Sequence, residues 1–166
     1  MSYVALLRGI NLGKKNKVEM KRLRSLFEEM GFQHVQTYIQ TGNVIFEELI
    51  CEEEQIETQL KETFGFDIPV TIRSKEDLEK IQQHSLFTND NVYALFLKNR
   101  LSNEQLELLQ HSVSDEFDLI DQKNIIIHLS NSFHQTKYNN AFFERKLKTH
   151  STVRNRNTVN KILGKM

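Results

Sequence analysis

The apolar positions of the chain follow two periods, and the order of those periods predicts an α+β fold. Short apolar runs, YVALL at Tyr3–Leu7 and VYALFLK at Val92–Lys98, predict buried strands. Longer segments with apolar residues at i, i+3, i+4 and i+7 predict helices, as in Val18–Met30, which Gly31 ends. Strand and helix patterns alternate along the whole sequence.

The first half shows the order β-α-β-β-α-β, which is that of a ferredoxin-like alpha-beta plait. Its predicted elements are a strand at Tyr3–Leu7, a helix at Val18–Met30, strands at Val35–Gln40 and Val44–Glu47, a helix at Glu53–Phe64 and a strand at Val70–Arg73.

A capping box, Ser74 to Asp77, then opens a linking helix, and the pattern begins again. The predicted elements are a strand at Val92–Lys98, a helix at Ser102–His111, strands at Phe117–Ile120 and Asn124–Leu129, a helix at Ala141–Leu147 and a last helix at Thr158–Leu163. The final strand of this half is expected to be missing or replaced. We predict two tandem, mostly antiparallel ferredoxin-like halves, 1–73 and 74–166, related by the order of elements rather than by residue identities.

Composition places the protein among soluble cytoplasmic proteins. The 166 residues include one proline, six glycines and a single cysteine, Cys51, which fits a reducing compartment. The N-terminus does not resemble a signal peptide, and no apolar run approaches the ~18 residues of a membrane span. We therefore expect no membrane partner.

Charge is unevenly distributed although the formal net charge is +0. Residues 1–30 carry seven basic and three acidic groups, and residues 137–166 carry eight basic and one acidic group. If both termini contribute to one basic face, that face would attract phosphate or nucleic acid. The alternative is that the basic ends neutralise the acidic middle of the chain.

Several strands are apolar at successive positions, which indicates sheets buried on both faces. RNA-recognition plaits instead display aromatic residues on an open face. The chain has five aromatic residues on its predicted strands that suit such a platform, but core positions are the expected role for them: Tyr3, Tyr38, Phe46, Tyr93 and Phe96.

The loop after the first strand, RGINLGKKNK at Arg8–Lys17, carries more charge than a connection requires. It leads into the start of a helix, where backbone N–H groups favour anions. Arginine binds two phosphate oxygens with its fork, and glycines let the backbone approach closely. The candidate anion-binding residues here are Arg8, Gly9, Asn11, Lys14, Lys15 and Lys17. A solvated connection, with Arg8 paired to an acidic residue, is the alternative.

Two further segments supply candidates. In the hairpin turn TGN, turn chemistry accounts for Gly42 and Asn43, and Asn43 is also a candidate amide donor to the same anion. In TVRNRNT, Thr152–Thr158, Asn157 is expected to cap the last helix, whereas Arg154, Asn155 and Arg156 suit phosphate or base-edge contacts. The alternative for this segment is a basic tail bound to an acidic surface.

No cofactor is indicated. The Walker loop GxxxxGK[ST], the dinucleotide loop GxGxxG, and HExxH or zinc-ligand spacings are absent. Cys51 is followed by three glutamates, which oppose a thiolate, so a nucleophilic role is not expected.

The segments YVALLRGINLGKKNKVEMKRLRSLFEEMGF, VQTYIQTGNVIFE, NNAFFERKL and TVRNRNTVNKIL together resemble the domain of unknown function 1697 family. The resemblance covers nearly the whole chain and implies two alpha-beta plaits in tandem, with no catalytic residues to transfer. The chain departs from the family pattern at Arg156, where tryptophan is common, and at Lys14, where a second glycine is frequent. Both departures add positive charge, and the first removes an aromatic platform.

Three functions follow from these observations. The first is a binder of phosphate-bearing ligands, nucleotide or nucleic acid, through a basic face. The second is a small enzyme acting on a phosphorylated or carboxylated metabolite between the two halves, with Arg8 and Arg154 clamping the anion and Asn43 orienting it. The third is an interaction module without a ligand.

Overall fold

The computed structural model describes all 166 residues, Met1–Met166, as a mixed α+β fold with two four-stranded antiparallel sheets and six helices. The strands are β1 (Ser2–Leu7), β2 (Gln33–Tyr38), β3 (Asn43–Glu47), β4 (Val70–Ser74), β5 (Val92–Leu97), β6 (Glu116–Leu119), β7 (Asn124–His128) and β8 (Ser151–Asn155). The helices are α1 (Met20–Glu29), α2 (Glu53–Phe64), α3 (Lys75–Gln82), α4 (Asn103–Ser112), α5 (Asn140–Leu147) and α6 (Arg156–Lys165), with a 3₁₀ turn at Ser85–Thr88.

The chain forms two compact units. Unit 1 contains Met1–Asp77 and Ile162–Met166, and unit 2 contains Leu78–Lys161. The sheet of unit 1 has the order β2-β3-β1-β4 and that of unit 2 has the order β6-β7-β5-β8. Each of these neighbouring strand pairs is antiparallel.

The predicted absence of a last strand in the second half is wrong. β8, Ser151–Asn155, pairs with β5 along five positions, and it overlaps the TVRNRNT segment, for which ligand contacts or a basic tail were expected. Val153 is the only apolar residue of this strand, and its three buried residues, Ser151, Thr152 and Arg154, are polar. Alternation of apolar and polar residues therefore gave no strand signal.

The core of unit 1 lies between one face of its sheet and helices α1 and α2. Phe27 from α1 packs against Phe46 from β3, and Phe32 stacks on Phe46 with ring centroids 4.6 Å apart. The buried contributions of the two helices to this core are Leu23, Leu26 and Phe27 from α1, and Ile56 and Leu60 from α2. These residues fall at helical spacing, as the sequence predicts.

The core of unit 2 is built in the same way. Leu109 from α4 and Phe143 and Leu147 from α5 pack on one face of β5 and β7. A capping box begins α4, because Ser102 Oγ accepts from the Gln105 N–H and the Gln105 side chain accepts from the Ser102 N–H. Such a box stabilises the first helical turn.

The central strands β1 and β5 are also buried on their opposite face. Val4 and Leu6 alternate with the core-facing residues of β1, and Ala94 and Phe96 do the same on β5, yet all four are at most 1% exposed. Burial on both faces explains why the sequences of β1 and β5 are apolar at nearly every position.

The five strand aromatics do not form an open platform. Phe46 and Tyr93 belong to the cores, and Phe96 is 1% exposed. Tyr3 packs partly buried against the core of unit 1, and Tyr38 is half-buried beneath the Lys165 ammonium at 5.6 Å. The expected burial therefore holds for Phe46, Tyr93 and Phe96, whereas Tyr3 and Tyr38 are only partly buried.

The same residue types recur at matching positions of the two sheets. Asparagine and threonine flank the central strand in each: Asn43 and Thr71 lie beside Leu6, and Asn124 and Thr152 lie beside Phe96. Two residues further along the outer strand, Arg73 lies beside Val4 and Arg154 lies beside Ala94. All six polar residues are buried.

No helix combines the length with the apolar character that a membrane crossing requires.

Candidate anion-binding site

The loop after β1 is held in place by two asparagines. The Asn11 amide donates to Val18 O (3.0 Å) and Gln40 O (2.9 Å), and its Oδ1 accepts from the Val18 N–H (2.8 Å). The Asn16 amide donates to Gly9 O (3.1 Å), and the Asn11 N–H donates to Asn16 O (2.9 Å). The loop is therefore an ordered element, and the Asn11 amide forms part of its frame.

Both asparagines have left-handed backbone conformations, with φ of 52° at Asn11 and 54° at Asn16. Asparagine tolerates this region better than most residues with a side chain. In the sequence, two asparagines on either side of a glycine are consistent with left-handed backbone positions. Their spacing does not indicate which groups the two side chains bind.

The lysines of this loop are exposed. Lys14 and Lys15 lie at a turn closed by the Lys15 N–H and Leu12 O (3.0 Å), and Lys17 follows it. Arg8 is half-buried, and its backbone N–H donates to Pro69 O (3.0 Å). The structure thus presents the three ammonium groups to solvent from a fixed backbone.

A cleft of about 680 Å³ opens beside this loop, in front of helix α1. Its basic lining residues are Lys17, Lys21 and Arg22; its neutral polar ones are Asn11 and Gln40. Glu19 contributes one carboxylate, and the Arg22 guanidinium also reaches Glu29 at 3.3 Å. Basic groups therefore outnumber acidic ones in the lining. We call this space the basic cleft.

Helix α1 begins at the basic cleft without a side-chain cap. Glu19 occupies the cap position and makes no capping hydrogen bond, and the first turn holds no acidic residue. The first intrahelical bond is donated by the Leu23 N–H to Glu19 O (2.9 Å). The first N–H groups of a helix favour negative charge, and Lys17, Lys21 and Arg22 add to that preference.

Sequence reasoning found Lys17 and Asn11 but missed Lys21, Arg22 and Gln40. The signal for Lys21 was present, because Lys17 and Lys21 are four residues apart at the start of a predicted helix. Gln40 gave no signal, since only the fold places the end of β2 beside the first loop.

The hairpin between β2 and β3 uses Gly42 and Asn43 internally. The Asn43 amide donates to Tyr38 O (2.8 Å) and Thr41 Oγ1 (3.2 Å), and Asn43 is fully buried. Gly42 has φ of 96°, and its carbonyl accepts from the Leu7 N–H (2.9 Å). These contacts give the TGN sequence a structural role in closing the turn.

The TVRNRNT segment crosses from β8 into α6. Arg154 is 8% exposed and donates to Val153 O (2.9 Å). Asn155 Oδ1 accepts from the Thr158 N–H (2.9 Å), so Asn155 caps the helix, and the expected capping role of Asn157 is wrong. The helix begins two residues earlier than predicted, at Arg156.

Arg156 binds the turn after the 3₁₀ helix. Its Nη1 donates to Thr88 O (2.8 Å) and Asn89 O (3.0 Å), and its Nη2 lies 3.2 Å from Asp90 Oδ1. Its positive charge is therefore balanced locally within unit 2.

The single cysteine of the chain is not an activated nucleophile. Burial, together with Glu48 and Glu53, raises the pKa of the Cys51 thiol to about 11. That thiol is therefore protonated near neutral pH and is a poor nucleophile. No group of three or more His, Cys, Asp or Glu side chains has a geometry suited to a metal ion.

Comparison with known proteins identifies the family. The model of the family described as "Protein of unknown function (DUF1697)" matches residues 1–124, and the chain belongs to this family. A solved structure of a conserved bacterial protein from Streptococcus pneumoniae is similar to this chain, with a TM-score of 0.72 and 27% sequence identity. The similarity covers 99% of this chain and 97% of that one. No protein of curated function matches the sequence.

Proposed function

We propose that this protein binds phosphate-bearing ligands, nucleotide or nucleic acid, at the basic cleft of unit 1. The observation that carries the proposal is the meeting of Lys17, Lys21 and Arg22 in one cleft at an uncapped helix start. Ammonium and guanidinium groups beside free N–H donors are the groups that proteins use for phosphate oxygens.

The rigid loop supports this proposal. A flexible basic loop loses entropy when a ligand orders it, whereas a loop already held by Asn11 and Asn16 loses little. Lys14 and Lys15 extend the positive surface outward from the cleft. A polymer with several phosphates would contact more of this surface than a single phosphate would.

The remaining predicted residues have other contacts. Asn43, Asn155 and Arg156 use side-chain groups in internal hydrogen bonds, and Arg154 is buried. We therefore assign the ligand contacts to residues of the loop and of α1. Arg8 and Gly9 begin the loop. We also propose a cytoplasmic location for the protein.

The test compares two double variants of equal charge change. Lys17→Glu with Lys21→Glu reverses charge in the basic cleft, while Lys75→Glu with Lys161→Glu does so at exposed positions outside it. Binding of short single-stranded RNA, a nucleoside triphosphate and inorganic phosphate is measured by fluorescence anisotropy or calorimetry at two salt concentrations. We expect the cleft variant to lose at least about 10-fold in affinity for RNA, and the control to lose much less.

Each outcome has a definite meaning. A steep salt slope supports nucleic-acid binding, because counterions are released from the phosphates. Saturable binding of a small phosphate ester that survives salt supports the alternative enzyme function. If no phosphate-bearing probe binds, or if both variants lose affinity equally, the basic cleft is not the site and the interaction module becomes the better hypothesis.

We further propose that each unit is a ferredoxin-like plait and that the predicted halves, 1–73 and 74–166, arose by tandem duplication. The shared strand order, the antiparallel pairing and the helix between first and second strands support this view. The recurrence of buried Asn, Thr and Arg at matching sheet positions supports it at residue level.

A further inference from the structure

Unit 2 contains a second cleft, of about 280 Å³, whose composition differs from that of the basic cleft. It lies at the end of the sheet where β5 begins and where β7 and β8 end. Phe133 supplies an aromatic ring, and the polar lining comes from Asp90, Asn91, Asn155, Arg156 and Asn157. We call it the amide cleft.

One wall of the amide cleft is fixed by Asn91. Its amide donates to Leu129 O (2.8 Å) and Asn131 O (2.6 Å), and its carbonyl accepts from the Leu129 N–H (2.8 Å). These bonds tie the segment that follows β7 to the start of β5. Hydrogen bonds to Asn91 therefore fix the start of the segment that contains Phe133.

The opposite wall is fixed by Arg156, whose hydrogen bonds hold the Thr88–Asp90 turn. The Asp90 side chain is fully exposed apart from this pairing, so its second carboxylate oxygen is open to solvent. Because Arg156 is already neutralised and Asp90 is an anion, the amide cleft is poorly suited to phosphate. Its chemistry favours a neutral ligand that donates hydrogen bonds to a carboxylate.

Phe133 supplies an apolar surface. Its ring packs edge-to-face with the buried Tyr93 ring, with centroids 5.9 Å apart and planes at 88°. Phe133 nevertheless remains 38% exposed, which is high for a large apolar side chain. A planar ligand stacked on it would remove that surface from water.

Two amides complete the lining. Asn157 is exposed in the first turn of α6, and Asn155 uses its Oδ1 as a helix cap while its Nδ2 remains a donor. A side-chain amide presents a donor and an acceptor side by side, which matches the N6 and N7 edge of adenine. The cleft thus combines a stacking ring, paired amide groups and a carboxylate acceptor.

We propose that the amide cleft binds a purine base. The base stacks on Phe133, its hydrogen-bonding edge meets the Asn157 amide, and its exocyclic amine donates to Asp90. A volume of about 280 Å³ is large enough for one base. This site is independent of the basic cleft, so loss of phosphate binding in unit 1 leaves it unaffected.

The absence of tryptophan from the chain makes a direct test possible. Phe133→Trp places a single fluorescent ring at the cleft and preserves an aromatic surface. Adenosine, guanosine, cytidine and uridine, which carry no phosphate, are titrated against it. We expect saturable quenching that is strongest with the purine nucleosides and weaker with cytidine and uridine, because the larger purine ring system covers more of the aromatic face. Leu108→Trp, exposed on α4, is the reporter control and should show only weak, unsaturable quenching.

The protein without an introduced tryptophan provides the second measurement. Calorimetry of adenosine binding compares the wild type with Asn157→Ala, Phe133→Leu and the control Asn103→Ala, an exposed asparagine on α4. We expect the two cleft variants to lose about 10-fold or more in affinity and the control to match the wild type. Unchanged thermal unfolding of the variants shows that they are folded. Absence of purine binding, equal binding of pyrimidines, or binding that both cleft variants retain would each overturn the proposal.

Discussion

Gly42 is a position where the structure leaves no room for a side chain. A Cβ there would lie 2.8 Å from Leu7 Cβ and 2.8 Å from Ile10 Cδ1, and the backbone has φ of 96°. The turn chemistry of TGN predicts a residue of positive φ at this place. The close approach of the turn to the first loop was not visible in the sequence, because it joins segments more than 30 residues apart.

Gly42→Ala is expected to destabilise unit 1 strongly. The left-handed backbone costs an alanine about 1–2 kcal/mol and overpacking about 1–3 kcal/mol, so the free energy of unfolding should fall by roughly 2–5 kcal/mol. Gly65→Ala is the matched control, because Gly65 has φ of 85° and a Cβ added to it would have nothing within 4 Å. Chemical denaturation measures both variants. Equal losses at the two glycines would show that the contact with Leu7 and Ile10 contributes nothing.

At the level of elements, the first loop is best understood as a small folded unit between β1 and α1. Its charge suggested a ligand, and Asn11 was a candidate ligand-binding residue. The structure instead uses Asn11 and Asn16 to connect the loop with Val18, Gln40 and Gly9. The charged side chains are left for solvent or a ligand.

Asn11→Gly should cost about 1–3 kcal/mol, because it removes the amide that satisfies Val18 and Gln40 backbone groups while tolerating the φ of 52°. Asn11→Ala should cost about 1–2 kcal/mol more, since alanine disfavours that backbone conformation. The difference between the two variants, measured by thermal or chemical unfolding, isolates the backbone contribution. Identical stabilities would contradict the left-handed conformation of Asn11.

Asn16→Gly is the control for the loop. Asn16 has φ of 54° and a single, exposed side-chain hydrogen bond to Gly9 O. Its replacement should cost less than about 1 kcal/mol.

On the scale of the whole molecule, the two sheets repeat one arrangement with different partners. Asn43 begins β3 and binds Tyr38 O, whereas Asn124 begins β7 and binds both carboxylate oxygens of Asp121 at 3.1 and 3.0 Å. Both asparagines are buried and close the hairpin that precedes their own strand. The two asparagines therefore both close a hairpin, but their amides donate to different acceptors.

Asn43→Ala and Asn124→Ala should therefore destabilise the protein by similar amounts, about 1–3 kcal/mol each, because each removes the hydrogen bonds of a buried amide that closes a hairpin. Asn103→Ala, at an exposed position, should stay within about 0.5 kcal/mol of the wild type. The measurement is the free energy of unfolding of the three variants under identical conditions. A negligible effect at one asparagine beside a large one at the other would argue that the two positions are not equivalent.

The amino-acid sequence alone was enough to predict the class of fold and most elements, because apolar period and turn residues are local signals. Helices α1 and α2 and the β2–β3 hairpin were predicted within a few residues of their observed bounds. β8 was not predicted, since Val153 is its only apolar residue and its buried positions are occupied by polar side chains. Cap assignment at α6 was wrong for a related reason: Asn155 and Asn157 are both suitable caps, and only the helix start selects between them.

Tertiary packing, by contrast, selects which polar groups are used internally and which face solvent. Asn11 and Asn43 have the same chemistry as ligand-binding amides, but Asn43 binds Tyr38 O within its own hairpin and Asn11 binds Gln40 O from a distant segment of unit 1. Lys21, Gln40 and Lys17 line one cleft because β2 returns beside the first loop, a contact that no local pattern encodes. Hydrogen bonds between distant segments depend on the packing of the sheet and helices, and that packing exists only once the chain has folded.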